Sequence, residues 1–397
     1  MKKILFVSGS IGLGHVGRDL EIAEMLRTLN PNVEISWMAE SPASIVLEEA
    51  GEELLPETSL LTSSSSELEE LASEYKANLL KWVMNMRKAW AQNARIYEEI
   101  SKKYQFDLWI GDEPYDIMAG MVNNPSLKKC PFVVIYDFFG LDATTWNPVD
   151  HIAAYMTNQL WLRFLRSNPP LADRSLFIGE IEDIPNKNFG LMMPNRHELA
   201  EKLINFVGYI LPEDIEDYKD KAKTRRLLGY GDDPLVLCSI GGTAAGKDLL
   251  DLCTAAYPIA KKAIPNLQMI LVCGPRVPPE SIKAPKGVKV LGYLPNLYRH
   301  MGAADLCIVS GGGTITLELT ALQKPFLYFP LEQHFEQEVH VANRCQRHKA
   351  GIKMTCSKTT PQLLSEAIVS HINETVDYAS VPIKGSMEAA KILMQLF

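Results

Sequence analysis

A histidine in a glycine-rich stretch and an aspartate after a later apolar run are the first candidates for acid–base chemistry. The stretch GSIGLGHVGRDLE (residues 9–21) follows the apolar run 4–7 and contains His15. Because an imidazole titrates near neutral pH, His15 could act as a general base. Asp112 directly follows the apolar run FDLWIG (106–111), and a carboxylate there could orient the imidazole. The sequence therefore predicts that His15 and Asp112 work as a pair.

Other interpretations of the same residues stay open. His15 could cap a helix that begins near Arg18, and Asp112 could be an ordinary turn residue. Residues 12–17 also read G-x-G-x-x-G, which is typical of dinucleotide-binding turns. The first glycine of that fingerprint normally lies at the strand end, whereas here residues 8–11 intervene. We therefore favour the acid–base interpretation over NAD or FAD binding.

Two glycine-rich stretches in the second half could bind phosphate groups. SIGGTAAGK (239–247) and SGGGTITLE (310–318) each follow an apolar run and lead into a helical segment, whose N-terminal N–H groups attract anions. Lys247 is followed by an aspartate, so the first stretch is not a P-loop. Glu318 could reach ribose hydroxyls, and EQHFEQ (332–337) could hydrogen-bond sugar hydroxyls. The alternative is a strand–helix–strand unit with polar loops that bind nothing.

The elements that must position these residues follow a strand–helix alternation that occurs twice. Short apolar runs between helical segments indicate parallel sheets that are covered on both faces. The predicted strands are 4–7, 33–38, 106–111, 131–138 and 175–179, then 235–242, 268–274, 288–294, 305–313 and 325–330, with helices at 18–29, 67–100 and 151–166. The fold class is therefore α/β, with two Rossmann-like, doubly wound domains facing a cleft and ligands at the carboxyl ends of the strands.

Composition shifts along the chain suggest the domain limits. Residues 1–210 form the first predicted domain, the polar and charged segment 211–233 a connector, and 234–385 the second domain. The terminal helix 386–397 could pack on either domain.

Charge and cysteine usage narrow the class of protein. The formal net charge is −8, which argues against nucleic acid as the main partner. No apolar run reaches the ~18 residues of a membrane-spanning helix, and the N-terminus lacks the features of a signal peptide. The seven cysteines are scattered, without a C-x-x-C pair, which is typical of reduced thiols in the cytoplasm. We therefore expect a cytoplasmic globular protein.

The order of motifs in the second half resembles a known group of enzymes. GYLPN (292–296), AADLCIVSGGGTITLE (303–318), QKPFLYFP (323–330) and EQ (336–337) look like the donor-binding half of GT-B nucleotide-sugar glycosyltransferases. The pattern is most similar to glycosyltransferase family 28, which includes the peptidoglycan N-acetylglucosaminyltransferase and the plant galactolipid synthase. The UDP-glycosyltransferases of family 1 share it. The resemblance covers most of 235–355, and the first half only through the G-x-G-H loop and the strand alternation.

The resemblance implies roles for particular residues. His15 would be the general base, paired with Asp112, and Glu318 would bind the ribose. The implied donor-binding residues are Gly14, Gly241, Gly242, Thr243, Gly292, Tyr293, Gly311, Gly312, Gly313, Thr314, Glu318, Glu336 and Gln337. Two positions depart from the pattern, because Ser310 stands where family 1 has a histidine and Ile315 stands where a hydroxyl residue is usual. Of the two EQ pairs, 332–333 and 336–337, we prefer the second as the sugar-binding pair.

The resulting prediction is an inverting, metal-independent glycosyltransferase that moves a hexose or N-acetylhexosamine from a UDP-sugar to a hydroxyl acceptor. No D-x-D-type acid pair follows a donor strand, so we expect no metal and no cofactor besides the UDP-sugar co-substrate. A UDP-sugar hydrolase of the nonulosonic-acid pathway type, in which His15 would activate water, and a UDP-sugar 2-epimerase are alternatives on the same fold. A non-catalytic nucleotide-sugar-binding subunit is an alternative from another class.

The acceptor is indicated only by two aromatic and basic segments. NLLKWVMNMRKAW (78–90) and AAYMTNQLWLRFLRS (153–167) could rest on a membrane surface, which would suit a lipid or lipid-linked acceptor and peripheral membrane contact. The alternative is that these aromatic residues belong to the protein core.

Overall fold

The structure is a computed structural model in which two compact units can be described. It describes residues 1–9, 13–61, 79–242 and 246–397, and side chains in these ranges except at 79–88. Thr243 and the first part of the predicted helix 67–100 therefore lie outside the described residues. Unit 1 comprises the described residues up to Leu211 together with Pro382–Phe397, and unit 2 the described residues of Pro212–Val381.

Unit 1 is built on a parallel sheet. Its strands are β1 (Lys2–Val7), β2 (Val33–Met38), β3 (Glu53–Leu54), β4 (Leu108–Asp112), β5 (Phe132–Tyr136), β6 (Arg174–Ile178) and β7 (Asn205–Gly208). Its described α-helices up to Leu211 are α1 (Leu13–Leu29), α2 (Ala43–Glu49), α3 (Leu79–Lys103), α4 (Tyr115–Asn123), α5 (Pro148–Leu165) and α6 (Arg196–Leu203). The strand order is β3-β2-β1-β4-β5-β6-β7, and all neighbouring strands pair in parallel.

The central strands of this sheet are apolar because helices cover both of their faces. Ile4, Leu5 and Phe6 of β1 are completely buried, and the Phe6 ring stacks on Trp37 of β2 with ring centroids 4.5 Å apart. In the register of the sheet, Ile4 lies opposite Ile35 on one side and Leu108 on the other. Such doubly covered strands give the nearly continuous apolar runs seen in the sequence.

Unit 2 repeats this architecture with one strand fewer. Its strands are β8 (Leu235–Ser239), β9 (Gln268–Val272), β10 (Val288–Leu291), β11 (Leu306–Ser310), β12 (Phe326–Phe329) and β13 (Ile352–Lys353). Its described α-helices are α7 (Lys221–Leu228), α8 (Lys247–Ala263), α9 (Leu297–Ala303), α10 (Gly313–Ala321), α11 (Ala342–Arg347) and α12 (Pro361–His371). The strand order is β10-β9-β8-β11-β12-β13, again parallel throughout. The predicted class of two parallel-sheet α/β domains is confirmed.

The C-terminal helix, α13 (Gly385–Leu393), packs in unit 1. Ala389, Ala390 and Leu393 are fully buried in the same apolar cluster as residues of β1 and α1. Gly385 permits this approach, because a Cβ there would lie 2.7 Å from the carbonyl oxygen of Tyr209. The sequence left the position of this helix open.

Several elements differ from the sequence-based expectation. The polar segment expected as a connector is folded into unit 2, where Arg225 of α7 donates to Asp305 at 2.6 Å. Strands β3, β7 and β13 were not predicted, because they are two to four residues long and lie at or next to sheet edges. The first helix begins at Leu13 rather than near Arg18. Among the helices described, none has the length and apolar character that a membrane crossing requires.

Candidate functional site

In unit 1, the candidate acid–base residues meet where the strand order of the sheet reverses. Strands β1 and β4 are neighbours, although the chain forms β2 and β3 between them. At such a switch point the connections leave in opposite directions and open a crevice at the carboxyl ends of the strands. His15 follows β1, Asp112 ends β4, and Asp137 follows β5, so one sheet edge presents all three side chains.

His15 and Asp112 are brought together as a hydrogen-bonded pair. The Nδ1 atom of His15 lies 2.8 Å from Oδ2 of Asp112, whose side chain is completely buried. The His15 side chain remains 14% exposed. Among the described residues, no hydrogen-bond partner is found for Nε2 of His15. The imidazole is therefore anchored through one nitrogen and presents the other.

Arg18 is the central cation of this site, and sequence reasoning did not select it. Its guanidinium donates to Asp112 (Nη2 to Oδ1, 2.8 Å) and to Asp137 (Nη1 to Oδ2, 2.8 Å). Its side chain is only 5% exposed, and the two carboxylates compensate its buried charge. The signal was the spacing of three residues between His15 and Arg18, which places both on one face of α1 once the helix begins at Leu13.

The hydrogen-bonding state of His15 follows from its neighbours. Nη2 of Arg18 also lies 2.7 Å from Nδ1, but one ring nitrogen cannot accept from Arg18 while it donates to Asp112. The buried carboxylate favours the tautomer with a proton on Nδ1, which leaves the lone pair on Nε2. Burial and the Arg18 charge oppose protonation of the ring, yet Asp112 and Asp137 outweigh them, and the pKa of His15 is raised.

The carboxyl groups around Arg18 divide into charged and neutral groups. Burial opposes ionisation of Asp112 and Asp137, but Arg18 and His15 hold the pKa of each below its ordinary value. Burial and the nearby Asp137 charge raise the pKa of Glu113 well above the usual range. Glu113 is therefore a neutral acid that can donate its proton to the Asp137 carboxylate.

Gly9 explains how the imidazole can lie so close to the sheet. A Cβ at Gly9 would lie 3.0 Å from Nδ1 of His15 and 3.4 Å from the carbonyl oxygen of Asp112. Gly17, by contrast, has open space around it. Of these two glycines, the ring therefore requires Gly9, which lies two residues after β1, and not Gly17.

In unit 2, the candidate donor loops also lie at one sheet edge. The stretches after β8, β10, β11 and β12 all leave the carboxyl edge of the parallel sheet. Strands β8 and β11 are neighbours at the switch point, and Oγ of Ser310 donates to the Ile240 carbonyl at 3.1 Å. Gly241 has a φ of 72°, a left-handed conformation that suits glycine. Gly242 follows it in the same turn.

The N-terminus of α10 has the properties of an anion-binding site. Gly312 is its N-cap and offers no capping side chain, and the first turn contains no acidic residue. The first N–H groups of the nine-residue helix therefore keep their hydrogen-bonding capacity, and the helix dipole adds positive potential. A Cβ at Gly311 would lie 2.6 Å from Cα of Pro330, so only glycine fits beside that strand end. Gly313 and Thr314 form the first turn.

Glu318 is an acid of unit 2 whose pKa is strongly perturbed by burial. It lies in the second turn of α10, half-buried, and burial raises its pKa to about 8. No side-chain partner for its carboxyl group is found among the described residues. A carboxyl group in this state has both oxygens available to a ligand.

The two EQ pairs differ in what they do. Oε1 of Glu332 accepts from the backbone N–H of Ser357 at 3.0 Å, so this acid holds a loop. Oε1 of Gln337 accepts from the backbone N–H of Leu331 at 2.8 Å. Glu336 begins a π-helix (Glu336–Val341), and its Oε1 would lie 3.6 Å from a Cβ at Gly313. The geometry therefore places Glu336 beside the first turn of α10, whereas Gln337 bonds to the chain that follows β12.

The remaining predicted donor residues follow other elements of the chain. Gly292 and Tyr293 follow the edge strand β10, with Gly292 beside Pro279. Gly14 lies in the first turn of α1 and thus in unit 1, not in unit 2. Thr243 lies outside the described residues.

With this geometry established, the chain can be compared with known proteins. Residues 236–396 match the family model of the glycosyltransferase family 28 C-terminal domain. A glycosyltransferase described as uncharacterized, from Methanosarcina mazei, is 32% identical over 135 residues (34% of this chain and 35% of that protein). The UDP-N-acetylglucosamine--N-acetylmuramyl-(pentapeptide) pyrophosphoryl-undecaprenol N-acetylglucosamine transferase of Clostridium kluyveri is 27% identical over 147 residues (36% and 41%). The chain thus spans well under half the length of these two curated relatives.

Solved structures resemble the whole chain. The glycotransferase of kitacinnamycin superposes with a TM-score of 0.63 at 16% identity, covering 100% of this chain and 99% of that one. MurG of Acinetobacter baumannii superposes with a TM-score of 0.51 at 15% identity, covering 98% and 95%. These likenesses show a GT-B fold, and residues 236–396 match the glycosyltransferase family 28 C-terminal domain. The resemblance found in the sequence is confirmed.

Proposed function

We propose that the protein is a glycosyltransferase that moves a hexose or N-acetylhexosamine from a UDP-sugar to a hydroxyl group of an acceptor, with inversion and without a metal ion. The observation that supports it most directly is the His15–Asp112 pair, in which Nδ1 is anchored at 2.8 Å and Nε2 is presented at a sheet edge. This is the arrangement that a general base requires. The glycosyltransferase relatives of the C-terminal domain favour transfer as the reaction.

The reaction follows from these groups. Nε2 of His15 takes the proton of the acceptor hydroxyl while its oxygen forms a bond to the anomeric carbon of the sugar. The bond from that carbon to the UDP oxygen breaks, and UDP leaves with the electron pair. Because the attack occurs on the face opposite the leaving group, the anomeric configuration inverts. Asp112 stabilises the imidazolium that results.

The donor groups of unit 2 fit the UDP part. The uncapped N-terminus of α10 can bind the diphosphate and stabilise the charge that develops as UDP leaves. This positive potential is the reason for proposing metal independence. Glu318 would bind ribose hydroxyls, and Glu336 and Gln337 would bind the sugar.

We further propose a lipid-linked acceptor and contact with the cytoplasmic face of a membrane. The Clostridium kluyveri relative carries a pyrophosphoryl-undecaprenol acceptor in its name. In unit 1, Val149, Ile152 and Met156 lie on one face of α5 and are 39%, 58% and 49% exposed. Trp146 precedes the helix and is 99% exposed. We refer to these four residues as the apolar patch. A bilayer surface is the occupant that would bury them together with a lipid acceptor.

The proposed activity is tested by UDP release. The purified protein is incubated with UDP-N-acetylglucosamine, UDP-glucose and UDP-galactose, with and without a lipid extract, and with and without EDTA. We expect release from one donor only when the extract is present, unchanged by EDTA, with an inverted anomer in the product by NMR. Rapid release in plain buffer would instead identify a UDP-sugar hydrolase. A retained anomeric configuration or inhibition by EDTA would contradict the proposed mechanism.

The apolar patch is tested separately by sedimentation with anionic phospholipid vesicles. Replacing Ile152 and Met156 by serine should reduce the bound fraction at least severalfold, because their apolar area no longer inserts. The matched control is Leu227→Ser, which removes a leucine of unit 2 that is 65% exposed. Equal binding of the two variants would contradict the membrane contact.

A further inference from the structure

A gap beside His15 lies between two groups that can both bind an acceptor. Nε2 of His15 and Oδ2 of Asp137 are 3.9 Å apart, too far for a direct hydrogen bond. The side chains of His15 and Asp137 are 14% and 16% exposed, while those of Asp112 and Arg18 are 0% and 5% exposed. Within this network, the two exposed groups are therefore the ones that a ligand can reach.

Asp137 can only accept hydrogen bonds. Arg18 donates to its Oδ2 at 2.8 Å and stabilises the ionised carboxylate. A carboxylate oxygen has room for a second donor. An acceptor hydroxyl has only one proton, and the reaction delivers that proton to His15. Any hydrogen bond that Asp137 receives from the acceptor must therefore come from a group other than the reacting hydroxyl.

The backbone conformation of Glu113 indicates that this residue helps to fix the position of Asp137. Glu113 has a φ of 50°, a left-handed conformation that is costly for a residue with a side chain. Its N–H donates to the Ile135 carbonyl at 3.1 Å, and its carbonyl accepts from the N–H of Tyr115 at 2.8 Å. Burial and the nearby Asp137 charge raise the pKa of the Glu113 carboxyl group well above the usual range, so that its proton can be donated to the Asp137 carboxylate. Arg18 thus fixes Asp137 by a direct hydrogen bond, and the protonated carboxyl group of Glu113 can add a second one.

We propose that Asp137 is an acceptor-binding residue, that Glu113 positions it, and that the acceptor carries a second hydroxyl next to the hydroxyl that reacts. This rests on the proposed function, because it assigns the reacting hydroxyl to His15. The acceptor class is a vicinal diol, as in a sugar ring. A simple alcohol can give its proton to His15 but offers the Asp137 carboxylate no hydrogen bond.

The test measures binding rather than transfer, so it does not depend on finding the natural acceptor. The full-length protein is labelled with ¹⁵N-histidine, and the His15 signal is identified by its loss in His15→Asn. The probes are cis-1,2-cyclohexanediol and cyclohexanol, titrated separately. We expect the diol to bind about tenfold more tightly than the alcohol, since a hydrogen bond to a charged group is worth this much or more.

Three variants assign the preference to particular residues. Asp137→Asn should reduce the preference for the diol to less than about twofold, because the amide is a weaker acceptor than a carboxylate. Glu113→Gln should retain the preference, because the amide still donates to Asp137, whereas Glu113→Ala should lose it. Asp232→Asn, at an exposed site of unit 2, is the control for loss of one charge and should behave as the wild type.

The outcomes separate this proposal from the proposed function. An equal response of the wild type to the two probes, including no response, overturns it whether or not Asp137→Asn folds. A preference that survives in Asp137→Asn also overturns it, and a loss in Glu113→Gln overturns the role of Glu113. Absence of UDP release with every donor would count against the transferase reaction, while the binding preference would still be measured.

Discussion

The carboxyl edges of the two sheets share one topology and differ in chemistry. In unit 1 the central strand order is β2-β1-β4-β5, and in unit 2 it is β9-β8-β11-β12, so each sheet has its switch point at the same place. At the edge of unit 1, His15, Arg18, Asp112 and Asp137 form one paired network. At the edge of unit 2, glycines surround an uncapped helix N-terminus.

This difference shows that the fold supplies a place for a site and the side chains decide its chemistry. A network of paired charges fixes the orientation and the pKa of an imidazole, which proton transfer requires. Free N–H groups at a helix N-terminus supply positive potential that does not depend on protonation, which suits a diphosphate. The comparison therefore predicts that changes in unit 1 alter turnover and leave UDP binding intact, whereas changes in unit 2 do the opposite.

The largest effect is expected for His15→Ala. Removing the general base should lower turnover about 10³-fold, within the range typical of such groups. UDP affinity, measured by calorimetry, should stay within about twofold of the wild type, because the imidazole lies in unit 1. Turnover within about threefold of the wild type would show that another group removes the proton. A parallel loss of UDP affinity would show that the functions of the two units are not separate.

Asp112→Asn should reduce turnover about 10²-fold and also move the pH profile. Neutral His15 is the active form, so kcat/KM of the wild type should fall as the pH drops through the raised pKa of His15. Burial and the Arg18 charge both lower the pKa of His15. When the Asp112 carboxylate is removed, less remains to counteract them, and this pKa falls. The acidic limb should then shift to lower pH. An unchanged limb would show that the titration belongs to another group.

Most of the fold was predictable because its signals are local. A doubly covered strand such as β1 needs several consecutive apolar residues, and this pattern is visible without any tertiary information. The short strand β13 contains only Ile352 and Lys353, both exposed, and its two residues carry no pattern. Strand β13 forms because its backbone pairs with β12, and this tertiary contact cannot be read from the sequence of the two residues.

A site residue was predictable from the sequence where it directly follows a strand. It was not predictable where its role depends on hydrogen bonds and ion pairs to other side chains. His15 and Asp112 were found because each lies shortly after an apolar run. Arg18 was not selected, because the start of α1 was expected near residue 18, and Gly14 and Gly17 disfavour a helix on propensity alone. Tertiary packing overrides that propensity. Asp137 belongs to the site because Arg18 donates to it, so it could not be selected from the sequence as long as Arg18 was not selected.

Gly9→Ala should lower turnover about 10- to 100-fold. The new Cβ would lie 3.0 Å from Nδ1 of His15, so the ring must shift by a few tenths of an ångström, and small misplacements of catalytic groups are costly. The matched control is Gly17→Ala, where the new methyl group meets open space and turnover should not change. Equal turnover of the two variants would show that the contact of Gly9 with the ring does not matter.

The smallest effect is expected for Glu318→Gln, and it tests unit 2 alone. Burial raises the pKa of Glu318 to about 8, so this carboxyl group is mostly neutral at pH 7 and mostly ionised at pH 9. Ribose hydroxyls donate more strongly to a carboxylate than to a neutral acid, so UDP binding favours the ionised form. The UDP affinity of the wild type should therefore rise about three- to tenfold from pH 7 to pH 9, relative to the Gln variant.

Calorimetry at three pH values would measure this difference, with Glu366→Gln on the exposed face of α12 as the control for loss of an acid. The acidic limb of turnover, which belongs to His15, should be the same in Glu318→Gln and in the wild type. If the pH dependence of UDP binding survives in Glu318→Gln, the nucleotide does not contact this carboxyl group. If the acidic limb of turnover moves instead, the assignment of proton transfer to unit 1 and of UDP binding to unit 2 is wrong.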